Sequence, residues 1–524
     1  MTDATLPPRA AAAPSFDRRR LFAFMSMVFG MFMAILDIQI VSASLSEIQA
    51  GLSASADEVA WVQTSYLIAE VVMIPLSGFL SRLLSTRWLF AASAAGFTLM
   101  SLMCATSTTI EEMILWRALQ GFIGGAMIPT VFASAFTIFP REKQPLVAPI
   151  IGLVATLAPT IGPTVGGYLT DLFSWHWLFL VNIVPGILVT IATWTLVDFD
   201  EPDLSLYDNF DWAGLAGMAA FLGALEYVLE EGPAKGWFDS DLITMTAAVS
   251  AAGGLLFFWR AFTARQPIVD LGAFRDRNFW TGSLFSFVMG IGLYGLTYLY
   301  PVYLARVRGY SALMIGETMF VTGICMFVAA PIVGRLMTKV DPRLMIGLGF
   351  LGFALGTFQA SYVTKDWDFW ELLVPQMLRG FSLMTCMVPI NNLALGTLPP
   401  ARIKNASGLF NLTRNLGGAV GLALINSLMN DRIDLHLTRL HDSVAWGHTK
   451  AEEMLASLTL AMADRGSDAG LAAVSKLAGI VRREAIVWAI GDVFFVLTLL
   501  FVALVFLAGL MRRPRGAGSA GGGH

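Results

Sequence analysis

The sequence predicts an all-α polytopic membrane protein with fourteen membrane-spanning helices. Three observations carry that expectation. Of 524 residues, 56% are hydrophobic and only 14% charged, where a soluble chain carries about 25% charge. Mean hydropathy is +0.67. Apolar runs longer than the roughly 18 residues that mark a spanning helix recur along the whole chain. The formal net charge of -4 gives no basic footprint for nucleic acid. Cys104, Cys325 and Cys386 all fall inside apolar runs with no C-x-x-C spacing, and read as small core residues.

In chain order, residues 1–20 form an N-terminal segment closed by Arg18-Arg19-Arg20. The apolar run 21–45 is longer than a signal-peptide h-region, so it reads as a retained first span although Ser42-Ala43-Ser44 resembles a cleavage site. Spans 2 to 6 are expected at 59–80, 88–107, 113–139, 146–170 and 177–197, completing a six-helix half over 21–197. Spans 7 and 8, at 212–230 and 242–262, sit within an insertion over 198–262. Spans 9 to 14 are expected at 280–303, 313–336, 344–363, 371–398, 406–430 and 487–511, making a second six-helix half over 263–511. Segment 431–486 has helical charge-and-leucine patterning without a spanning run, and is expected as an outer loop. Residues 512–524 read as a flexible cytoplasmic tail.

Charge fixes the expected orientation. With the N-terminus inside, the cytoplasmic segments collect Arg18 to Arg20, Arg82, Arg87, Arg141, Lys143, Arg275, Arg277, Arg402, Lys404 and Arg512. The short loops opposite hold Lys235, Arg306, Arg308 and Lys365. That asymmetry places both termini in the cytoplasm.

An internal repeat links the two halves. "PLSGFLSRLLSTR" (Pro75 to Arg87) and "PIVGRLMTKVDPR" (Pro331 to Arg343) share Pro, Gly, Leu and Arg at one spacing. "RALQG" (Arg117 to Gly121) and "QMLRG" (Gln376 to Gly380) match in the fourth span of each half, with Arg and Gln exchanged. Two six-span halves around an inserted pair is the parallel-repeat plan of a secondary transporter.

Longer motifs resemble a known family. "LDIQIVSASLSEI" (Leu36 to Ile48), "LWRALQGFIGGAMIP" (Leu115 to Pro129) and "GPTVGGYLTDLFSWHWLFLVNIVPG" (Gly162 to Gly186) are similar to first-, fourth- and fifth-to-sixth-span motifs of the major facilitator superfamily. Within it they resemble the fourteen-span drug:proton antiporters of the Emr type. "PQMLRGFSLMTCMVPINNLALGTLPP" (Pro375 to Pro400) and "SGLFNLTRNLGGAVG" (Ser407 to Gly421) resemble spans 12 and 13 of that group. The resemblance implies a major facilitator fold, proton-coupled export of amphipathic compounds across a bacterial inner membrane, no cofactor and no enzymatic activity. It also implies a periplasmic adaptor (a membrane fusion protein) and an outer-membrane channel as partners, for which segment 431–486 is the expected docking element; a self-packed cap is the alternative. One departure matters: where the family's loop between spans 2 and 3 carries an acid and then Gly-Arg, this chain has Arg82 and then Ser85-Thr86. A charge-based latch in that loop is in doubt.

Span 5 concentrates poor helix formers in Pro159, Gly162, Pro163, Gly166 and Gly167. Gly162 and Gly166 form a G-x-x-x-G groove that lets another helix approach closely; the resemblance assigns it to gating between the halves, and an ordinary packing groove is the alternative. Buried charge marks the candidate coupling site, because ionisable residues in spanning segments are expensive. Asp37 in span 1 and Arg117 in span 4 lie at matching depth, and Glu70 near the centre of span 2. Arg117, Gln120 and Gly121 form the fourth-span motif. The pair reads either as a static brace or as a carboxylate that exchanges a proton. Glu226, Gln376, Arg379 and Asn391 are candidates for the substrate cavity, with Asn411, Arg414 and Asn415 polar in span 13. Glu230, Glu231 and Glu317 read as solvated. His436, His441 and His448 lack the completing Cys or paired acid of a metal site. No phosphate-binding G-x-x-x-x-G-K-[ST] run occurs. A specific exporter of a single metabolite and a non-transporting membrane sensor remain the alternatives.

Overall fold

A computed structural model describes residues 18–140, 144–444, 449–462 and 468–510. Residues 1–17, Arg141, Lys143, His448, Arg512 and the tail 512–524 lie outside that range. All regular elements among the described residues are helical, as a chain in lipid requires when its backbone groups must be satisfied within each segment.

The first half comprises α1 (Arg18–Ala43), the short α2 (Leu45–Leu52), α3 (Ala56–Leu83), α4 (Thr86–Ala105), α5 (Ile110–Gly124) running into α6 (Met127–Ile138), α7 (Gln144–Leu172), and α8 (Trp177–Leu180) followed by α9 (Ile183–Leu196). The inserted hairpin is α10 (Trp212–Glu231) and α11 (Asp241–Thr263). The second half comprises α12 (Arg277–Tyr303), α13 (Ala312–Leu336), α14 (Pro342–Ala360), α15 (Phe369–Gly396), α16 (Pro400–Ser443), α17 (Thr449–Ala461) and α18 (Ala469–Leu507). The side of the bundle where α1 begins is called the near face below, and the opposite side the far face.

Thirteen helices among the described residues are long and apolar enough to cross a membrane. The expected span 406–430 is not one of them. It forms the first part of α16, where Asn411, Arg414, Asn415 and four glycines dilute the apolar content. The count of fourteen is therefore not reached by this measure. The expected outer segment 431–486 is largely helical: α16 continues through it to Ser443, α17 follows, and α18 starts at Ala469.

Local chemistry sets the helix ends. Ser55 and Glu58 close a reciprocal capping box on α3, and Asp368 with Glu371 closes another on α15. Tyr310, Phe369 N–H and Arg308 all donate to Asp368, which hold its carboxyl below the usual range, the Tyr310 hydroxyl contributing most. Asp211 caps α10 and also takes a 2.8 Å bond from Arg260, tying the two legs of the inserted hairpin together.

α7 runs as one helix through Pro149, Pro159 and Pro163. Its glycine groove is filled from the same half. A Cβ on Gly162 would overlap the Gln39 side chain of α1, and one on Gly166 would stand 2.9 Å from the Ile40 carbonyl oxygen. The contact between halves uses another face of α7. Thr164 seats against Gly316 of α13, and Leu157 lies 3.1 Å from where a Cβ on Gly323 would be. The groove thus sets the spacing of α1 and α7 within the first half. We expect Gly166→Leu to push α7 off α1 at a cost of about 1–3 kcal/mol, the usual price of overpacking. A lowered melting temperature in detergent with normal membrane insertion would show it; an unchanged melting temperature would remove the groove from the architecture.

Candidate functional site

Five side chains of the first half converge on one enclosed point toward the far face. α1 contributes Asp37, α4 Ser101, α5 Arg117 and Gln120, and the junction between α8 and α9 contributes Asn182. Asp37, Ser101, Arg117 and Gln120 are 0% exposed and Asn182 is 2% exposed. Arg117 Nη1 lies 2.7 Å from Asp37 Oδ2. Asn182 Nδ2 donates to Asp37 Oδ1 at 2.6 Å, and Gln120 Nε2 reaches the same oxygen at 3.4 Å. Gln120 also accepts from Arg117 Nη1 at 2.8 Å and donates to Ser101 Oγ at 2.7 Å. Both carboxylate oxygens are thereby engaged, and the two charges cancel where an isolated one would cost about 2.5–3.5 kcal/mol on insertion scales.

The arginine is held from its other side by α3. Its Nε donates to the Val62 carbonyl at 3.2 Å, and its guanidinium carbon sits 4.2 Å from the centre of the Tyr66 ring. α3 and α5 can come this close because a Cβ on Gly121 would overlap the Tyr66 carbonyl. Arg117 Nη2 and the Tyr66 hydroxyl are buried without a hydrogen-bond partner among the described residues. Glu70 stands one turn beyond Tyr66 on α3, 3% exposed. It has no hydrogen-bond or ion-pair partner among the described residues.

The second half repeats the geometry without the acid. A Cβ on Gly380 would stand 2.6 Å from the Thr322 carbonyl oxygen of α13, as Gly121 does against α3. Gln376 accepts from the Thr322 hydroxyl and lies 3.0 Å from Met319 Sδ. Arg379 donates to the Thr297 hydroxyl and faces the Tyr300 ring at 5.8 Å. Its Nε and Nη1 have no partner among the described residues. Asn391 accepts from Arg414 Nη2 at 3.0 Å, and Arg414 lies over the rings of Phe132 and Phe410 at 5.1 and 5.4 Å.

The expected site residues therefore fall into groups. Asp37, Arg117 and Gln120 meet directly, with Gly121 setting the approach and Glu70 beside them. Asn391 and Arg414 form a second cluster, Gln376 and Arg379 a third, and Pro159 to Gly167 lie in the α1–α7 packing. Glu226 is 6% exposed on α10, outside these groups. Sequence reasoning missed Asn182 and Ser101 as members of the site; a lone Asn within the apolar run "WLFLVNIVPG" was the available signal. His436 makes a 2.9 Å bond to Asp492 Oδ2.

The departure in the loop between α3 and α4 also has a structural answer. Lys404 at the start of α16 donates to the Ser81 carbonyl at 3.0 Å and pairs with Asp200, beyond α9. Asp200 accepts from Thr86 N–H at 3.1 Å, at the N-terminus of α4. The acid missing from position 82 is supplied by Asp200, and the halves are joined through it at the near face.

These features define a membrane carrier with a charged pair enclosed in one of two repeated helix groups. The Major Facilitator Superfamily profile matches residues 27–422, and the chain belongs to that family. It is 41% identical over 492 residues to the colistin resistance protein EmrB of Acinetobacter baumannii, covering 94% of this chain and 96% of that protein. It is 28% identical over 495 residues to the multidrug export protein EmrB of Escherichia coli, covering 94% and 95%. The fold also matches a bacterial homolog of the human lysosomal transporter Spinster in an inward-facing, unoccupied conformation, with a TM-score of 0.53 at 14% identity, covering 96% of this chain and 100% of that one.

Arg117→Ala strands Asp37 in an enclosed site, a loss of about 3–5 kcal/mol for a broken buried pair. We expect a clear fall in melting temperature in detergent, largely recovered in the Asp37→Asn/Arg117→Ala double variant. Equal destabilisation of single and double variants would show that the unpaired charge is not the source of the loss.

Proposed function

We propose that this EmrB-like efflux protein drives export of amphipathic compounds across the bacterial inner membrane with protons, its two termini cytoplasmic, and that Asp37 is the coupling carboxylate. The observation that carries the reading is the enclosed Asp37–Arg117 pair. A carboxylate beside a permanent cation and two amide side chains has partners in either protonation state, since each amide can accept as well as donate. Tyr66 carries Arg117 on its ring, has no partner for its hydroxyl among the described residues and stands one turn from Glu70 on α3, which suits Glu70 to a second proton station. One charge crossing 100 mV gains about 2.3 kcal/mol, which is the scale of work available per proton before any pH gradient. The 37 Phe, 14 Trp and 25 Met give an adaptable apolar lining, in keeping with the drug-resistance names of the relatives.

The outer helices suit a periplasmic adaptor that continues to an outer-membrane channel. The end of α16, α17 and the start of α18 enclose a groove of about 320 Å³ lined by Val444, Leu455, Val474 and Leu477 among others. Cross-linking from Asp434 and His441 in intact cells is expected to recover such an adaptor. Recovery of contacts within the chain alone would favour a self-packed cap.

Asp37→Asn tests the coupling directly in inverted vesicles. Substrate binding should persist, while uphill export and the accompanying pH signal should be lost. Uphill export by this variant with unchanged proton stoichiometry would make Asp37 a structural brace and move the search to Glu70.

A further inference from the structure

The inserted hairpin is fastened to both halves, but unequally. α10 lies antiparallel along α3: Trp61 stacks on Tyr227 at 5.3 Å, and a Cβ on Gly223 would stand 3.3 Å from Ile68. The segment leading into α10 is tied to the near end of the same helix. Asp203 N–H donates to the Arg82 carbonyl at 3.0 Å, and the Phe210 ring meets Phe79 edge-on at 5.2 Å. Contacts spread from Trp61 to Arg82 make the hairpin follow α3 in a rigid-body movement. At the near face the chain passes covalently from α11 into the second half. At the far face the link is a side chain, Trp237, whose Nε1 donates to Ser427 Oγ of α16 at 2.8 Å.

The turn that presents Trp237 is strained. Gly236 and Trp237 have φ of +70° and +56°. Glycine adopts that region freely, whereas a bulky aromatic residue there is an outlier. The other non-glycine positions with positive φ among the described residues are serines, Ser53 and Ser85. Neighbouring groups hold the residue in place: Trp237 N–H donates to the Gly232 carbonyl at 2.9 Å, and a Cβ on Gly232 would stand 2.8 Å from the indole ring. Strained backbone of this kind clusters at clamps and switches. Here it aims the indole N–H out of the hairpin at α16.

The bond is made while the halves are closed on each other at the near face. There a Cβ on Gly78 would stand 2.8 Å from the Asn405 backbone, and one on Gly408 2.9 Å from the Ile74 carbonyl oxygen. Lys404 donates to the Ser81 carbonyl beside them. Opening the near face by rocking one half against the other changes the separation of α3 and α16 at the far face. The hairpin travels with α3, which carries Trp237 away from its place on Ser427. A bond present in one conformation and absent from the other shifts the balance toward the first.

We propose that the inserted hairpin is a strap across the far face, fastened by Trp237 to Ser427, which favours the conformation closed at the near face and is released when that face opens. The inference goes beyond the exporter reading, and its test reads a distance rather than transport or proton movement. Spin labels at Ala50→Cys and Lys365→Cys, exposed far-face positions on the two halves, report the far-face separation by double electron–electron resonance. The measurement uses the full-length protein in detergent with Cys104, Cys325 and Cys386 replaced by alanine. Trp237→Phe keeps a ring and removes the donor; Ser427→Ala removes the acceptor from the other half. Each should raise the ratio of the shorter far-face distance to the longer about fivefold, the effect of one neutral hydrogen bond. The two together should raise it no further than either alone. Phe238→Ala, at the exposed neighbouring side chain, should leave the distances as in the parent. The strap is overturned if Trp237→Phe and Ser427→Ala leave the distances unchanged, if their effects add in the double variant, or if Phe238→Ala shifts them as far.

Discussion

The enclosed bond between Asp37 and Arg117 is the constraint around which the first half is built. Neither charge can remain in an apolar bundle alone, so α1 and α5 must meet at one register. Once they do, the remaining polar groups have few places to go. Gln120 follows Arg117 by one turn and must share its partners; Ser101 and Asn182 complete the circle from α4 and the α8–α9 junction. The break in the sixth span is explained by the same demand, because it presents Asn182 to the carboxylate. α3 is drawn in by the aromatic face it offers the guanidinium, which places Glu70 beside the pair.

Small residues decide how closely the rest can pack. Where lipid is as apolar as the side chains, helices gain by van der Waals contact, and that needs backbones near one another. Gly162 and Gly166 admit α1, Gly316 admits α7 from the other half, and a Cβ on Gly78 would stand 2.8 Å from the Asn405 backbone near the Asp200–Lys404 pair. α7 is thus clasped between halves. Its prolines sit in a helix whose neighbours approach on two sides, where a poor intrinsic helix former is tolerated because packing supplies what propensity does not.

Much of this was legible in the sequence. Most spans fell within a few residues of the observed helices because the apolar run and the helix end together wherever a short loop follows: residues 146–170 were expected for Gln144–Leu172. The rule failed at the last spans, where hydropathy marks the edge of the hydrocarbon and the helix continues into water, so that 487–511 became Ala469–Leu507. Asp37 with Arg117 could be paired from depth alone. Asn182 could not, since one amide in an apolar run says nothing of which helix it faces. Asp200 was hidden for a different reason: it stands in an acidic stretch, "DFDEPD", in which the residue chosen by Lys404 is decided only by folding. The direction of the glycine groove likewise depends on tertiary packing.

The length of α16 has a mechanical consequence. Its 44 residues make a rod of about 66 Å, against about 40–45 Å for a bilayer with its headgroups. Lys404 is one turn from its near end, and His436, joined to Asp492 of α18, is two turns from the other. A tilt that opens the near-face pair is therefore carried as a lever stroke to the outer helices. Information about which way the carrier faces is physically available at the far surface, without a signal having to pass through the bundle.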